Sequence, residues 1–124
     1  MQVTRLGWLG TRTVRYQEMV RFYRDVLGLE FAHEDPNATV FRLPTGDLVE
    51  VFREDFAPQA HFTTGPVVGF RVIDIDQARE ALVTAGIELL GPLNRMPDGY
   101  AWQHFRAPDG NVYELTYSPA EAER

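Results

Sequence analysis

The sequence contains two copies of one short pattern: a proline, a glycine two residues later, and a glutamate four residues after the glycine. PTGDLVE at residues 44–50 recurs as PDGNVYE at residues 108–114. Each copy predicts a turn followed by a strand that carries one carboxylate, near the end of its own half of the chain. A duplicated unit usually cannot bury its apolar face alone, so the two copies are expected to share one core. Glu50 and Glu114 should then occupy equivalent positions around whatever that core encloses.

The order of predicted elements is the same in both halves. The first half has the pattern of a strand, a helix and three strands, over residues 6–14, 16–27, 29–33, 38–43 and 48–53. The second half repeats this order over residues 67–73, 76–85, 87–90, 100–106 and 112–117. In the first helix the apolar residues recur at i, i+3, i+4, i+7 and i+8, which is the spacing of one helical face. Gly28 and Gly86 follow the two helices directly, where a left-handed residue commonly ends a helix.

These patterns predict one α+β domain over residues 1–124. Two β-α-β-β-β modules are expected to form a curved mixed sheet, a cup or half-barrel with the helices outside. Module A covers about residues 3–54 and module B about residues 66–118. The segment of about residues 55–65 is polar, contains prolines and a glycine, and is interpreted as the linker.

Composition excludes several classes of protein. The chain is 44% hydrophobic and 24% charged, which is typical of an ordered globular protein. Its net charge is -6 and its arginines are scattered, which argues against a nucleic-acid-binding surface. The chain has no cysteine, so disulfides and thiol chemistry are excluded. No signal pattern or membrane-length apolar run is present, so a cytoplasmic protein with no membrane partner is expected.

The alternation of strand side chains predicts which residues line the inner face of the sheet. Val49 and Val51 should lie under the first helix, which places Glu50 and Phe52 on the opposite face. The same reasoning assigns a larger set to that face: Trp8, Val67, Arg71, Trp102, His104 and Glu114. Aromatic rings with a few convergent charges are typical of a small-molecule pocket. We therefore assign ligand binding to Trp8, Phe52, Val67, Arg71 and Trp102.

FYRDVLGL at residues 22–29 and PDGNVYEL at residues 108–115, together with the repeated element order, resemble the vicinal oxygen chelate superfamily. That superfamily includes glyoxalase I, extradiol dioxygenases, fosfomycin-resistance proteins and bleomycin-binding proteins. The resemblance covers nearly the whole chain and implies the fold, but one fold hosts many reactions. It also implies a homodimer, because members of this length usually pair.

Metal-dependent members of the superfamily bind a divalent ion through histidine or glutamate at four positions, on the first and last strand of each half. The resemblance places these positions at Trp8, Glu50, Val67 and Glu114. Neither an indole nor an isopropyl group offers a lone pair, so no metal or other cofactor is expected. If a metal does bind, Glu50 and Glu114 would hold it. In the alternative interpretation the glutamates are structural and pair with arginines such as Arg12, Arg42 or Arg71.

His104 lies ten residues before Glu114, on the strand expected to pair with that of Glu114. The corresponding position in extradiol dioxygenases holds a catalytic tyrosine, so the resemblance implies contact with a ligand. A histidine beside a glutamate can also act as an acid or base near neutral pH, which makes Glu50, Glu114 and His104 the catalytic candidates. The alternative is a polar side chain that orients its neighbours without transferring a proton.

Three functions therefore stay open. The preferred one is a small-molecule-binding protein of the glyoxalase, bleomycin resistance and dioxygenase type, without the histidine-containing metal site. Its carboxylates and aromatic rings favour a cationic or aromatic ligand. The second is a metal-dependent lyase, isomerase or dioxygenase that uses Glu50 or Glu114 with His104. The third is a structural or regulatory dimer with a closed cup. Whether the chain turns over a substrate is not decided by the sequence.

Overall fold

The structure is a computed structural model, and it describes residues 1–63 and 65–122. The first half contains β1 (Val3–Thr13), α1 (Tyr16–Arg21), a π-helical turn (Phe22–Val26), β2 (Glu30–Glu34), β3 (Ala38–Arg42) and β4 (Leu48–Arg53). A 3₁₀ turn (Ala57–Gln59) precedes the second half, which contains β5 (Val67–Val72), α2 (Ile75–Thr84), β6 (Glu88–Arg95), β7 (Ala101–Arg106), β8 (Val112–Tyr117) and α3 (Pro119–Ala122). The predicted α+β class and the repeated β-α-β-β-β order are confirmed. None of these helices is long and apolar enough to cross a bilayer.

The eight strands form a mixed sheet in the order β2-β3-β4-β1-β5-β8-β7-β6. The chain divides into two compact units, which we call the N unit (Trp8–Val67) and the C unit (Met1–Gly7 together with the chain from Val68 onward). Strand β1 runs through the division, so its first residues belong to the C unit although they precede the N unit in sequence.

The N unit buries α1 against β3 and β4. Its core consists of Tyr16, Val20, Tyr23, Phe41, Val49 and Val51. Val49 and Val51 thus lie on the helix side, as predicted. Strand β4 pairs in parallel with β1, where Glu50 stands opposite Gly10, and antiparallel with β3, where Glu50 stands opposite Val40.

The predicted helix over residues 16–27 changes its geometry before it ends. The Leu27 N–H donates to the Phe22 carbonyl, a bond that spans five residues instead of four. Gly28 then stops the helix with φ 66°. The wider turn keeps Tyr23 buried but leaves Val26 70% exposed. The apolar stripe expected along this helix is therefore only partly buried.

The C unit repeats this arrangement around α2. Its core consists of Val72, Ile75, Ala78, Ala101, Phe105 and Leu115. The Asp74 side chain caps the helix by accepting from the backbone N–H of Gln77 at 3.0 Å. Strand β8 pairs in parallel with β5 and antiparallel with β7, so that Glu114 stands opposite Gly69 on one side and His104 on the other. Glu114 therefore occupies the register position that Glu50 occupies in the N unit.

The two proline-glycine turns have the same geometry. The Gly46 N–H donates to the Leu43 carbonyl at 2.8 Å, and the Gly110 N–H donates to the Ala107 carbonyl at 2.9 Å. Both glycines have φ 89°, a left-handed value that other residues adopt only with strain. The glycine in each copy of the repeat is thus required by the turn that leads into the glutamate-bearing strand.

A bulge in β6 is closed by the side chain of Gln103. The β6–β7 register passes from Leu90 opposite His104 to Asn94 opposite Trp102, so extra β6 residues face Gln103. Gln103 Nε2 donates to the Leu90 carbonyl at 3.2 Å and the Gly91 carbonyl at 3.0 Å. Its Oε1 accepts from Arg79 Nε on α2 at 2.8 Å. This fully buried amide fixes the strand segment that carries His104 and Trp102.

Candidate functional site

In the N unit, the indole of Trp8 is bonded to the carboxylate of Glu50. Trp8 Nε1 donates to Glu50 Oε1 at 3.0 Å. Trp8 is opposite Leu48 in the β1–β4 register, and Glu50 is opposite Gly10, so the indole reaches along β1 to meet the carboxylate. A Cβ atom at position 10 would lie 2.0 Å from Cη2 of Trp8. Glycine at this position is therefore what allows the indole to lie beside Glu50.

An aromatic cluster surrounds the Trp8 indole. The Trp8 and Phe52 rings are nearly parallel, with an interplanar angle of 9° and centroids 6.4 Å apart. The Phe62 ring lies 5.9 Å from each of them, and all three side chains are buried. The Arg12 guanidinium donates to the carbonyls of Phe62 and Glu54, which holds this segment in place. The interpretation of residues 55–65 as a linker does not include this role of Phe62.

In the C unit, His104 and Glu114 form a buried pair. His104 Nε2 lies 2.9 Å from Glu114 Oε2, and each residue is 2% exposed. Burial lowers the pKa of His104 to about 4, so the imidazole is neutral at pH 7. Burial also raises the pKa of Glu114 well above its usual value, and the positive charge of Arg71 opposes that rise. The expected proximity of His104 and Glu114 across the β7–β8 hairpin is thus present.

Arg71 brings a buried positive charge to the same face of the C unit. The residue is 4% exposed, and its Nε donates to Thr116 Oγ1 at 2.8 Å. Its guanidinium carbon lies 5.6 Å from the centre of the Tyr100 ring, a cation–π arrangement. A Cβ atom at Gly7 would lie 2.7 Å from Arg71 Nη2, so the small residue in β1 leaves room for this side chain. Neither the Gly7 contact nor the Thr116 bond is predictable from the sequence patterns.

Trp102 carries a buried donor for which the described residues offer no acceptor. It stands opposite Thr116 in the β7–β8 register, and its ring centroid lies 6.4 Å from that of Tyr100. Its Nε1 atom is buried and has no hydrogen-bond partner among the residues that the structure describes. A buried donor left without a partner costs about 1–3 kcal/mol.

The candidate residues therefore fall into two groups, one in each unit. The N unit holds Trp8, Glu50, Phe52 and Val67, and the C unit holds Arg71, Trp102, His104 and Glu114. At Glu50 the structure shows a bond from the Trp8 indole, and the alternative interpretation, the pairing of the glutamates with arginines, stays a prediction. At Glu114 the closest partner is His104, with the Arg71 charge nearby.

The donor set does not fit a Zn²⁺ or Ni²⁺ site. The Trp8 nitrogen is a hydrogen-bond donor directed at Glu50, and Val67 offers only a buried isopropyl group. Among the side chains that the structure describes, no three of His, Cys, Asp or Glu are grouped as an ion would need. The expectation that no metal is bound stays a prediction.

The chain matches the family model of the Glyoxalase/Bleomycin resistance protein/Dioxygenase superfamily over residues 5–115. Methylmalonyl-CoA epimerase from Mycobacterium tuberculosis has a similar structure, with a TM-score of 0.74 and 21% identity over 98% of this chain and 93% of that one. A variant of the Streptomyces coelicolor methylmalonyl-CoA epimerase, in complex with 2-nitronate-propionyl-CoA, gives a TM-score of 0.74 and 21% identity over 96% and 97% of the two chains.

The Mn(II)-bound glyoxalase from Novosphingobium aromaticivorans gives a TM-score of 0.70 and 24% identity, over 93% of this chain and 39% of that one. At these identities the structures share a fold, and a shared fold does not by itself identify a reaction. No curated protein matches the sequence at a significant level.

Proposed function

The chain belongs to the glyoxalase/bleomycin resistance protein/dioxygenase superfamily, and we propose that it is a small-molecule-binding member that lacks the histidine-containing metal site. The observation that carries this proposal is the hydrogen bond from Trp8 to Glu50 at 3.0 Å. A metal ligand must direct a lone pair at the ion, whereas this nitrogen directs a proton at the carboxylate. The side chain at position 8 therefore bonds to the protein itself and is not available as a metal ligand.

The ligand-contacting groups that we propose lie mainly in the C unit. Arg71 supplies a charge, Tyr100 and Trp102 supply aromatic faces, and the pair of His104 and Glu114 supplies polar atoms. Such a combination of rings with a few polar groups suits a small organic molecule. In the N unit, the rings of Trp8, Phe52 and Phe62 pack against one another.

The two carboxylates favour a cationic ligand less strongly than the sequence alone suggests. Glu50 accepts from Trp8, and Glu114 is paired with His104. A carboxylate that already has a donor attracts a cation less strongly than one that faces solvent or an empty pocket. We therefore retain an aromatic ligand and treat a cationic one as an arm of the test.

The metal content of protein purified without chelators tests the first part of the proposal. We expect far less than one equivalent of any divalent transition metal by elemental mass spectrometry. A stoichiometric Zn²⁺, Ni²⁺ or Fe²⁺ that survives extensive dialysis would overturn it. Native mass spectrometry of the same sample would show whether a small molecule co-purifies.

Tryptophan fluorescence tests the binding itself, because the chain has only two tryptophans, Trp8 and Trp102. We expect titration with bleomycin, as a cationic aromatic probe, or with benzoate, as an anionic one, to change the emission saturably. Trp8→Phe and Trp102→Phe each leave one indole as reporter and show which unit the probe reaches. No saturable change with any aromatic probe would contradict the proposal.

A second candidate function is proton transfer next to a carbonyl group. It is favoured by one observation, the buried neutral His104 at 2.9 Å from Glu114, an arrangement suited to acid–base work. Methylmalonyl-CoA, the substrate named for the epimerases of similar fold, is a reasonable first compound to test. Incubation in D₂O, with and without Mn²⁺, should place deuterium at its C2 atom if the protein exchanges that proton. Exchange that persists in His104→Gln and Glu114→Gln would rule out this pair as its source.

The homodimer also stays a proposal, supported by the superfamily resemblance alone. Sedimentation equilibrium should give about twice the chain mass if it is correct. A dimer that binds no probe of either charge would instead favour the structural or regulatory alternative.

A further inference from the structure

The two tryptophans differ in one respect that bears on the ligand. The Trp8 indole N–H donates to a carboxylate of the chain itself, at 3.0 Å. The Trp102 indole N–H is buried as well, yet no acceptor for it exists in the described part of the chain. Because buried donors are almost always satisfied, the Trp102 N–H is expected to meet an acceptor outside the residues that the structure describes.

The position of Trp102 limits what that acceptor can be. Arg71, Thr116, Trp102 and Asn94 lie opposite one another on β5, β8, β7 and β6, in one row across the C unit. Residues paired in this way present their side chains on the same face of the sheet. The row therefore places a guanidinium, a hydroxyl and an indole N–H side by side.

The neighbouring row contains a carboxylate, that of Glu114. It runs through Gly69, Glu114, His104 and Leu90, and in it Glu114 is already paired with His104. The Arg71 charge also acts on Glu114. The row of Arg71 and Trp102 contributes a positive charge and donors, with Tyr100 adding an aromatic face beside both of them. Donors next to a buried cation complement an anionic acceptor oxygen.

We propose that Trp102 Nε1 and Arg71 together bind the carboxylate of a small aromatic or apolar acid. This inference rests on the proposed small-molecule function and assigns the chemical class of its ligand. The carboxylate would accept the Trp102 N–H and lie within the field of Arg71, and its ring would contact Tyr100. The ligand would then be an anion, in contrast to the cationic ligand that the two glutamates alone suggest.

The experiment uses the two indole N–H resonances in ¹H–¹⁵N spectra of the full-length protein, assigned with Trp8→Phe and Trp102→Phe. Three probes with the same ring are compared: benzoate, benzylammonium and benzyl alcohol. We expect benzoate to shift the Trp102 indole proton downfield saturably and to leave the Trp8 resonance nearly unchanged. Benzylammonium and benzyl alcohol should bind more weakly and produce no such shift.

Trp102→Phe keeps an aromatic ring but removes the donor. We expect it to weaken benzoate binding by about tenfold, the loss typical of one charge-assisted hydrogen bond, and to change benzyl alcohol binding little. Saturable benzoate binding that leaves the Trp102 resonance unmoved would overturn the inference while the proposed function stands. Preference for benzylammonium would do the same. If none of the three probes binds saturably, the result contradicts the proposed function as well.

Discussion

Trp8 Nε1 and Glu50 Oε1 lie 3.0 Å apart and form a hydrogen bond between neighbouring parallel strands. In the metal-binding members that the sequence resembles, the first of these positions supplies a lone pair to an ion. Here it supplies a proton to the carboxylate. The side chain at position 8 is thus a hydrogen-bond donor to Glu50 and not a ligand to an ion.

Removing the Trp8 donor should destabilise the fold. We expect Trp8→Phe to lower the free energy of unfolding by about 2 kcal/mol, because the hydrogen bond to Glu50 and some ring contact with Phe52 are lost. Glu50→Gln keeps an acceptor and should cost less. Urea denaturation of both variants and of the double variant would give the coupling free energy of the pair. Because the side chain introduced by Glu50→Gln still accepts the bond, strictly additive effects would show that the charge of the carboxylate contributes nothing to it.

Gly10 should be intolerant of even one methyl group. Its added Cβ would lie 2.0 Å from the Trp8 ring, so we expect Gly10→Ala to destabilise the protein by about 1–3 kcal/mol. The clash depends on the indole, so the same substitution in a Trp8→Val background should cost much less. Thermal unfolding of the four proteins tests this. An equal cost in both backgrounds would mean that backbone effects, and not the ring, exclude alanine.

Substitution of either member of the His104–Glu114 pair should reveal opposite pH dependences of stability. In Glu114→Gln, the unfolded chain protonates His104 below pH 6.5, whereas the folded chain does so only near pH 4. Stability should therefore fall as the pH decreases through this window, by up to roughly 3 kcal/mol.

In His104→Gln the sign reverses. The folded chain keeps the Glu114 proton that the unfolded chain releases above about pH 4.5, so stability should fall as the pH rises. In the unsubstituted protein the two effects oppose each other. Melting temperatures between pH 4 and 8 provide the measurement, and slopes of the same sign in both variants would contradict the assignment.

Gln103 should be essential to the β6 bulge. We expect Gln103→Leu to lower stability by about 2 kcal/mol or more, since the carbonyls of Leu90 and Gly91 lose their buried donor. Gln103→Glu keeps an acceptor for Arg79 but no donor, so it should be as harmful. Arg79→Gln is the matched control for the helix contact. If Gln103→Glu had nearly the stability of the unsubstituted protein, the bond with Arg79 and not the bonds to the two carbonyls would account for the role of Gln103.

Local chemistry explains which parts of the structure could be predicted. The turns before Glu50 and Glu114 need a left-handed glycine, and alternation along β4 and β8 decides which side the carboxylates face. The pairing of His104 with Glu114 follows from a hairpin whose turn is visible in the sequence. These features depend on residues close together in the chain.

The features that sequence reasoning misses depend on segments far apart in the chain. The bond from Trp8 to Glu50 joins two strands 42 positions apart, and Phe62 reaches the same cluster from a segment of polar composition. The π-helical turn preserves the burial of Tyr23, a tertiary requirement that helical periodicity does not express. No local pattern records such contacts, and Gly10 and Gly7 alone hint at them by their small size.

The division of β1 has a consequence for any attempt to separate the repeats. A cut within residues 55–65 would leave Val3–Gly7 on the N-terminal fragment, although these residues belong with the second unit. The C-terminal fragment would then begin at β5 with a bare strand edge, open to pairing with other chains. The sheet would then be complete only when the two fragments associate. A chain with this property can serve as a split reporter for the association of its two fragments.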